Sequence, residues 1–383
     1  MSGRVAIGGG GVKVASALVA ALLILAGCSP PPEETMAGAG GPQAAPAPAA
    51  ETGERERAES VRVIFTGDML PNDELLARAK RYADGRGYDF LPMLGGMKSI
   101  ISAADWAVCH QETPISADNS TISSYPQFSA PAQLAEAESA VGYDACSTAS
   151  NHSVDYGATG VRSTLTALDR YGIRHTGTAR SRTEARQPTI YNVQGLRLGH
   201  LSYTYGLNGL SKPEPWSVDL IDPERIRADA RRADRAGADI VAVSMHWGTQ
   251  MNKQPSAYQQ RVADAVLRSP YIDLIVGHHA HVVQPIEQRA DGQWVLYGLG
   301  NFLSQQDVSA SDPNPPHRDG VIAEVTFTPA TDDDWRISRV GYIPTFVDAP
   351  SDRVVSAPPF SRERTTKTLT SMGADLVDLT SEE

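Results

Sequence analysis

The chain has 383 residues, of which 41% are hydrophobic, so it can build the core of one large domain or of two average ones. It carries 34 basic and 45 acidic residues, which gives a formal net charge of −11. This balance argues against a general affinity for nucleic acid or anionic lipid. An anionic substrate must therefore be attracted locally, by a metal ion or an arginine.

Residues 1–27 have the pattern of a bacterial signal peptide. Arg4 and Lys13 precede an apolar run at 14–27, which is too short to span a membrane comfortably because spanning needs roughly 20 residues. The run ends in LAGC at 25–28, a lipobox-like tetrapeptide. We interpret Cys28 as a lipidated residue that holds an extracytoplasmic protein at the cell membrane. The alternative is an ordinary secretory signal with a chance cysteine.

Residues 28–60 are rich in Pro, Ala, Gly and Glu and contain almost no large apolar side chain. Such a segment buries too little surface to offset its ordering entropy, so we predict a disordered tether. The ordered domain is predicted over residues 61–350. Residues 351–383 are polar and weakly periodic, which predicts a tail with one short helix.

Strands and helices alternate through the predicted domain. Buried strands are predicted at 61–67, 105–109, 143–148, 238–244 and 272–276, and helices at 73–82, 92–103, 131–141, 157–171, 222–236 and 256–268. Hairpins at 188–205 and 282–299 and further strands at 320–328 and 335–345 break this alternation. The pattern predicts an α/β fold in which a second sheet faces the first.

Polar residues follow the predicted strands, which is the main functional signal of the sequence. Ligands of open α/β sheets bind beyond the carboxyl ends of the strands. The chain has nine histidines, and six of them lie at these strand ends. The residues that we expect to meet are Asp68, His110, Glu112, Asn151, His152, His246, His278, His279 and His281.

Carboxylate, amide oxygen and imidazole together suit Mn²⁺, Zn²⁺ or Fe²⁺. Two such ions roughly 3.5–4 Å apart would clamp a phosphoryl or acyl group and activate water. Each motif alone has a simpler explanation: Asp68 as a turn residue, Asn151-His152 as a helix cap, His246 as a packing residue. Cys109 and Cys146 precede site residues on neighbouring strands, and either a disulfide or two buried thiols fits the sequence.

Taken together, the motifs resemble the CapA-type family associated with poly-γ-glutamate capsule synthesis, a branch of the calcineurin-like metallophosphatase fold. The resemblance spans about residues 60–303 and implies two facing mixed β-sheets flanked by helices, an α/β/β/α sandwich. The segments that carry it are FTGDML (65–70), the turn at Glu112-Thr113-Pro114, SNHSVDYGATG (150–160), SMHWG (244–248), GHHAHVVQP (277–285) and YGLGNF (297–302).

The resemblance also implies a role for each site residue. Asp68 and His281 would bind a first metal, Glu112 would bridge, and Asn151, His246 and His279 would bind a second metal. His152 would be the general acid for the leaving group, or a contact to the substrate oxyanion. Asp155 and Asn301 would orient the ligands.

The sequence departs from the family pattern at three places. Leu70 stands where metallophosphatases usually have a histidine, so the first metal site lacks one ligand. His110 stands where the family commonly has asparagine, and it either replaces the histidine ligand that is missing at position 70 or, as we favour, lines the pocket. The run at 278–281 leaves the register open. We favour His279 and His281 as ligands, with His278 behind them.

Three functions remain open on the sequence. The first is a hydrolase that uses one or two divalent ions on phosphoesters or, less favoured, on amide or γ-glutamyl bonds. The second is a non-catalytic accessory that binds an anionic polymer beside capsule-synthesis membrane proteins. The third is a structural lipoprotein with a decayed site. No nucleic-acid partner is expected.

Overall fold

The computed structural model describes residues 58–305, 314–331 and 334–381. The predicted signal peptide 1–27, the lipidation residue Cys28 and nearly all of the tether 28–60 lie outside these ranges. In the part of the chain that is described, no helix is both long enough and apolar enough to span a bilayer.

Strands and helices are numbered here in chain order. The strands are β1 (Val61–Leu70), β2 (Trp106–Gln111), β3 (Ile115–Ser116), β4 (Ala130–Pro131), β5 (Ala145–Ser147), β6 (Arg174–Thr176), β7 (Ile190–Val193), β8 (Leu196–Thr204), β9 (Ile240–His246), β10 (Leu274–His278), β11 (Ile286–Gln288), β12 (Trp294–Leu296), β13 (Asn301–Ser304), β14 (Asp319–Thr331), β15 (Asp334–Asp348), β16 (Arg353–Ser356) and β17 (Val377–Asp378). The α-helices are α1 (Asp73–Tyr82), α2 (Leu91–Leu94), α3 (Lys98–Ile101), α4 (Gln133–Val141), α5 (Gly157–Arg170), α6 (Pro223–Arg235), α7 (Ala257–Val266) and α8 (Pro359–Leu369).

The strands form two large mixed sheets and a small β3–β4 pair. The first sheet has nine strands in the order β16-β15-β14-β1-β2-β5-β6, with β13 also paired to β1 and β17 to β15. The second has six strands in the order β11-β12-β10-β9-β8-β7. The neighbours β1, β2, β5 and β6 are parallel, as are β8, β9, β10 and β12. In each sheet, the carboxyl ends of several parallel strands therefore lie side by side.

Three apolar clusters define the layers. The cluster between the sheets joins Phe65 of β1 to Val276 of β10. A second cluster, which includes Leu165 of α5, covers the outer face of the first sheet. A third packs Ile226 of α6 and Val262 of α7 on the outer face of the second sheet. The predicted α/β/β/α sandwich is confirmed.

Local signals account for most helix boundaries. Asp222 caps α6 by accepting from the backbone N–H groups of Glu224 and Arg225, and a capping box opens α7. The predicted helix 92–103 is instead two short helices, α2 and α3, separated by a 3₁₀ turn at Gly95–Met97. Glycine costs about 1 kcal/mol relative to alanine inside a helix, so the two adjacent glycines interrupt this one.

The segment 351–381 contains the predicted short helix, but it packs on the domain and is not a separate tail. It adds β16 to the edge of the first sheet, beside β15, and then forms α8. The side chain of Leu369, at the end of α8, is fully buried against the sandwich. Val354 and Val355 pair with Val347 and Phe346 of the preceding strand in a hairpin, and the polar composition around them conceals this pairing.

Cys109 of β2 and Cys146 of β5 are joined by a disulfide. The two residues lie opposite each other on adjacent parallel strands, with their Cα atoms 4.5 Å apart. Of the two possibilities that fit the sequence, the structure has the bridge. It fixes the register of the residues that follow, His110 and Ser147, whose side chains hydrogen-bond at 2.8 Å.

Candidate metal centre

Strand register brings the predicted site residues to one edge of the sandwich. In the first sheet, Asp68 lies opposite His110 on β2 and opposite Asn301 on β13. In the second sheet, His246 lies opposite His278 at the ends of β9 and β10. The two sheets therefore present their polar strand ends to each other.

The crossing of β1 and β13 depends on glycine. A Cβ atom at Gly67 would overlap the carbonyl oxygen of Gly300, and Gly300 itself has a φ of 71°. This close approach lets the Asp68 N–H donate to Gly300 O at 3.0 Å. The Asp68 carboxylate is thereby held at the strand end, fully buried.

The first donor group consists of Asp68, His110 and His278, whose ligand atoms lie within 4.8 Å of one another. Asp68 Oδ1 is 3.4 Å from His278 Nδ1 and 4.0 Å from His110 Nε2. The two imidazole rings stack with their centroids 3.9 Å apart. We expected His110 to line the pocket and His278 to lie behind the ligands. Both instead lie where they could bind the first metal, the site that lacks a histidine ligand at position 70.

The second donor group consists of Glu112, His246 and His279. Glu112 Oε1 is 3.8 Å from His246 Nε2, and the same imidazole nitrogen is 2.8 Å from Asn151 Oδ1. His246 Nδ1 lies 2.9 Å from His110 Nε2, so the first and second groups share a contact. The four residues that resemblance assigns to the second metal and the bridge are therefore brought together.

A third group, Asp68, Glu112 and His281, connects the other two. His281 Nδ1 is 3.3 Å from Asp68 Oδ2, and His281 Nε2 is 3.7 Å from Glu112 Oε1. His281 Nδ1 also lies 2.9 Å from Asn301 Oδ1, and Asn301 Nδ2 donates to the backbone carbonyl of His317 at 2.8 Å. Asn301 thus orients the imidazole of His281, as the resemblance implies.

Two of the histidines have backbone conformations that non-glycine residues rarely adopt. The φ angle is 84° at His279 and 55° at His281. Strained backbone of this kind tends to collect at functional sites, where surrounding contacts hold it in place. The loop after β10 therefore directs the side chains of His279 and His281 into the centre at the cost of a strained backbone.

Burial and mutual contacts set the charges of the centre. Burial would raise the pKa of Asp68, but His278 and His281 together lower it well below its ordinary value. Burial raises the pKa of Glu112 to about 7. Burial also lowers the pKa of His279 to about 3, and the pKa values of His110 and His246 fall well below their ordinary range for the same reason. Neutral imidazole is the form that binds metals.

His281 is the exception among these histidines. Burial lowers its pKa, but the carboxylates of Glu112 and Asp68 outweigh that effect and raise it to about 9. A cation is therefore favoured between the two carboxylates. A divalent ion can supply that positive charge in place of the proton on His281.

His152 lies beside the donor groups, with a different set of partners. Its Nδ1 is 2.8 Å from Asp155 Oδ2, and that carboxylate oxygen also accepts from the Phe128 N–H at 2.8 Å. The Phe128 ring packs edge-on against the imidazole at a centroid distance of 4.7 Å. Asp155 therefore orients His152 and leaves Nε2 facing the centre.

The donor set fits one or two divalent ions. Buried carboxylates and imidazoles ordinarily have hydrogen-bond partners, because burying them unpaired is costly. Within the described residues, five buried atoms of this cluster that could bind a metal have no hydrogen-bond partner: Asp68 Oδ1, both Glu112 carboxylate oxygens, His278 Nδ1 and His279 Nδ1. The residues that carry these atoms belong to the three overlapping donor groups described above, where bound metal would satisfy them.

Two further residues at the centre were not predicted from the sequence. The half-exposed ring of Tyr205 covers His279 at a centroid distance of 4.6 Å. Asn208 contacts both Asn151 and His152 through its side chain. The only local signal is the dipeptide Asn208-Gly209, which predicts a turn but no chemistry.

Comparison with known proteins places this site in a family. The CapA capsule biosynthesis protein of Bacillus anthracis is 29% identical over 184 residues, which cover 47% of this chain and 44% of the relative. The PGA biosynthesis protein CapA of Bacillus subtilis (strain 168) is 32% identical over 169 residues, 43% of this chain and 44% of the relative. The chain thus matches less than half the length of either relative.

Among solved structures, the calcineurin-like phosphoesterase YfkN from Bacillus subtilis aligns with a TM-score of 0.45 and 14% identity, over 80% of this chain and 96% of that chain. The family model described as bacterial capsule synthesis protein PGA_cap matches residues 62–306, which contain every candidate ligand. That match covers more than half of the sequence, and the chain belongs to the PGA_cap family of bacterial capsule synthesis proteins.

Proposed function

We propose that this protein is a metal-dependent hydrolase that cleaves phosphoester bonds at the cell envelope. The observation that carries the proposal is that, within the described residues, five buried ligand atoms without a hydrogen-bond partner lie in overlapping donor groups at the strand ends. Asp68, His110 and His278 would hold one ion, and Glu112, His246, His279 and Asn151 a second. Ions held there would supply Lewis-acid activation of water and of the scissile ester.

The chain's own residues would supply orientation and proton transfer. His152 is only 8% exposed and lies beside the centre, so its Nε2 is suited to protonate a leaving-group oxygen. Asp155 holds the ring through Nδ1. Tyr205 would exclude water from the face of His279. Mn²⁺, Zn²⁺ and Fe²⁺ all suit this donor set.

The predicted location follows from the N-terminal sequence. A lipid at Cys28 would hold the protein at the outer side of the cell membrane, within reach of capsule-synthesis membrane proteins. Cell fractionation tests this expectation. The full chain should enter the membrane fraction, and Cys28→Ser should release it or block its maturation. Equal fractionation of both proteins would contradict lipid anchoring.

A phosphoester screen tests the catalytic proposal. The purified protein loaded with Mn²⁺ should cleave an aryl phosphate or an aryl phosphodiester. His152→Ala should lower the rate by about 10²- to 10⁴-fold, the usual contribution of a general acid, while retaining Mn²⁺. His175→Ala, which removes a histidine that contacts Asp169 away from the centre, is the matched control. No turnover across a broad phosphoester and peptide panel would contradict a hydrolase.

A second candidate function is suggested by the names of the relatives, which refer to capsule or PGA biosynthesis. In that case the centre would bind an anionic polymer without cleaving it. This candidate predicts saturable binding of polyglutamate that weakens as salt is added, because charge attraction is screened. Polyglutamate binding without any turnover would favour it over the hydrolase.

A further inference from the structure

Asn208 lies at a tight turn in the loop after β8, beside the candidate centre. The φ angles of Asn208 (51°) and Gly209 (82°) are both left-handed, and Leu210 N donates to Leu207 O across them at 2.8 Å. This is the pattern of an Asn-Gly type I′ turn. The turn carries the Asn208 side chain from the second sheet to the Asn151-His152 pair of the first.

The Asn208 amide contacts both members of that pair. Asn151 Nδ2 donates to Asn208 Oδ1 at 3.2 Å, and Asn208 Nδ2 faces His152 Nε2 at 3.5 Å. The opposite ends of both side chains are already fixed. Asn151 Oδ1 is 2.8 Å from His246 Nε2, and His152 Nδ1 is 2.8 Å from Asp155 Oδ2. Asn208 therefore contacts the one remaining polar atom of each.

The contact with Asn151 selects between two orientations of that amide that have nearly the same shape. A flipped asparagine amide exchanges its donor and acceptor ends. Asn208 Oδ1 accepts only from the nitrogen of Asn151, so the Asn151 oxygen is turned toward the centre. The Nδ1 side of His152 is already held by Asp155, so the contact with Asn151 is the one through which Asn208 acts.

We propose that Asn208 is a positioning residue that fixes the metal-facing orientation of the Asn151 amide. The inference rests on the metal-dependent function proposed above. A simpler explanation is that asparagine is present only because it tolerates the left-handed turn. Glycine tolerates that conformation equally well, so Asn208→Gly keeps the turn and removes only the amide.

Metal affinity is the first test. Full-length Asn208→Gly should bind Mn²⁺ about 10- to 100-fold more weakly than the wild type in calorimetric titration, the usual effect of removing a group that orients a ligand. Asn208→Asp keeps the acceptor for Asn151 Nδ2 and should retain at least wild-type affinity. Asp84→Gly is the control, since Asp84 is an exposed residue with a left-handed φ of 50°. Wild-type affinity in Asn208→Gly would overturn the proposal.

The side-chain amide of Asn151 gives a readout that needs no metal and no activity. ¹H–¹⁵N spectra of the metal-free protein should show the Asn151 NH₂ group held by Asn208 Oδ1 in the wild type, and its signals should shift and exchange faster with solvent in Asn208→Gly. Unchanged Asn151 amide signals in Asn208→Gly would overturn the positioning role. Failure of the wild type to bind Mn²⁺ would instead contradict the proposed function, while the amide comparison would still decide the role of Asn208.

Discussion

Glu112 and Glu138 are both buried glutamates with raised pKa values, but their surroundings differ. In the described part of the chain, neither carboxylate has a hydrogen-bond partner, and burial raises the pKa of Glu112 to about 7 and that of Glu138 to about 8. Glu112 lies among the imidazoles of His246, His279 and His281. Glu138 points from α4 into the apolar layer over the first sheet, near Cys109 and Cys146.

The different surroundings of Glu112 and Glu138 show that a buried carboxylate without a hydrogen-bond partner does not by itself indicate a metal site. The sulfur atoms near Glu138 are joined in the disulfide, so they offer no thiolate to a metal. Without other donors, Glu138 avoids its desolvation cost by binding a proton. Glu112 is surrounded by the neutral imidazoles of His246 and His279, by His281 and by the carboxylate of Asp68, so a metal can take the place of that proton. A metal site is therefore indicated by the other ligand atoms around a carboxylate and not by its burial alone.

The largest expected contrast is in metal affinity. Glu112→Gln removes the bridging charge and should weaken Mn²⁺ binding by more than about 100-fold, since groups that only orient a ligand already cost 10- to 100-fold. Glu138→Gln makes the same chemical change outside the centre and should alter the affinity by less than about twofold. Calorimetric titration of the two variants measures the Mn²⁺ affinities. Equal losses of affinity in Glu112→Gln and Glu138→Gln would contradict this prediction.

The second contrast is in stabilisation by the metal. Mn²⁺ at 100 times its dissociation constant should raise the free energy of unfolding of the wild type by about 2.7 kcal/mol, because only the folded state binds it. Glu138→Gln should gain the same amount. Glu112→Gln should gain far less at the same Mn²⁺ concentration. Denaturant unfolding with and without Mn²⁺ checks this, and a full gain in Glu112→Gln would exclude Glu112 as a ligand.

The smallest effect is a pH dependence that belongs to Glu138. Its pKa is about 8 when folded, against an ordinary value of 4.5. The folded state therefore retains a proton that the unfolded state loses, and Glu138 lowers stability as the pH rises between these two values. From pH 4.5 to 6.5, Glu138→Gln should gain about 2 kcal/mol relative to the wild type. A difference that is constant with pH would show that Glu138 is not buried as an acid.

Much of this architecture could be predicted from sequence because the signals are local. The β-branched run that begins at Val61 predicts β1, and the polar residue at each strand end predicts where ligands collect. The hairpin at Gln194-Gly195 follows from its turn dipeptide, since both residues have positive φ. The family resemblance added the roles of the residues.

The parts that could not be predicted depend on contacts between distant segments. His110 and His278 stack only because the two sheets pack face to face at that edge, and no local pattern encodes the packing. Asn208 reaches Asn151 from a loop of the other sheet. Leu369 of α8 is buried in the cluster that lies between the two sheets. In each case the deciding interaction is tertiary, and sequence periodicity reports only local structure.

We infer that the cluster around Asp68 and Glu112 is a divalent metal centre. Elemental analysis of the purified protein, after loading with Mn²⁺, Zn²⁺ or Fe²⁺ and removal of free metal, tests it most directly. We expect one or two tightly held ions per chain in the wild type and a loss of bound metal in Glu112→Gln but not in Glu138→Gln. No retained transition metal under any loading condition would contradict it.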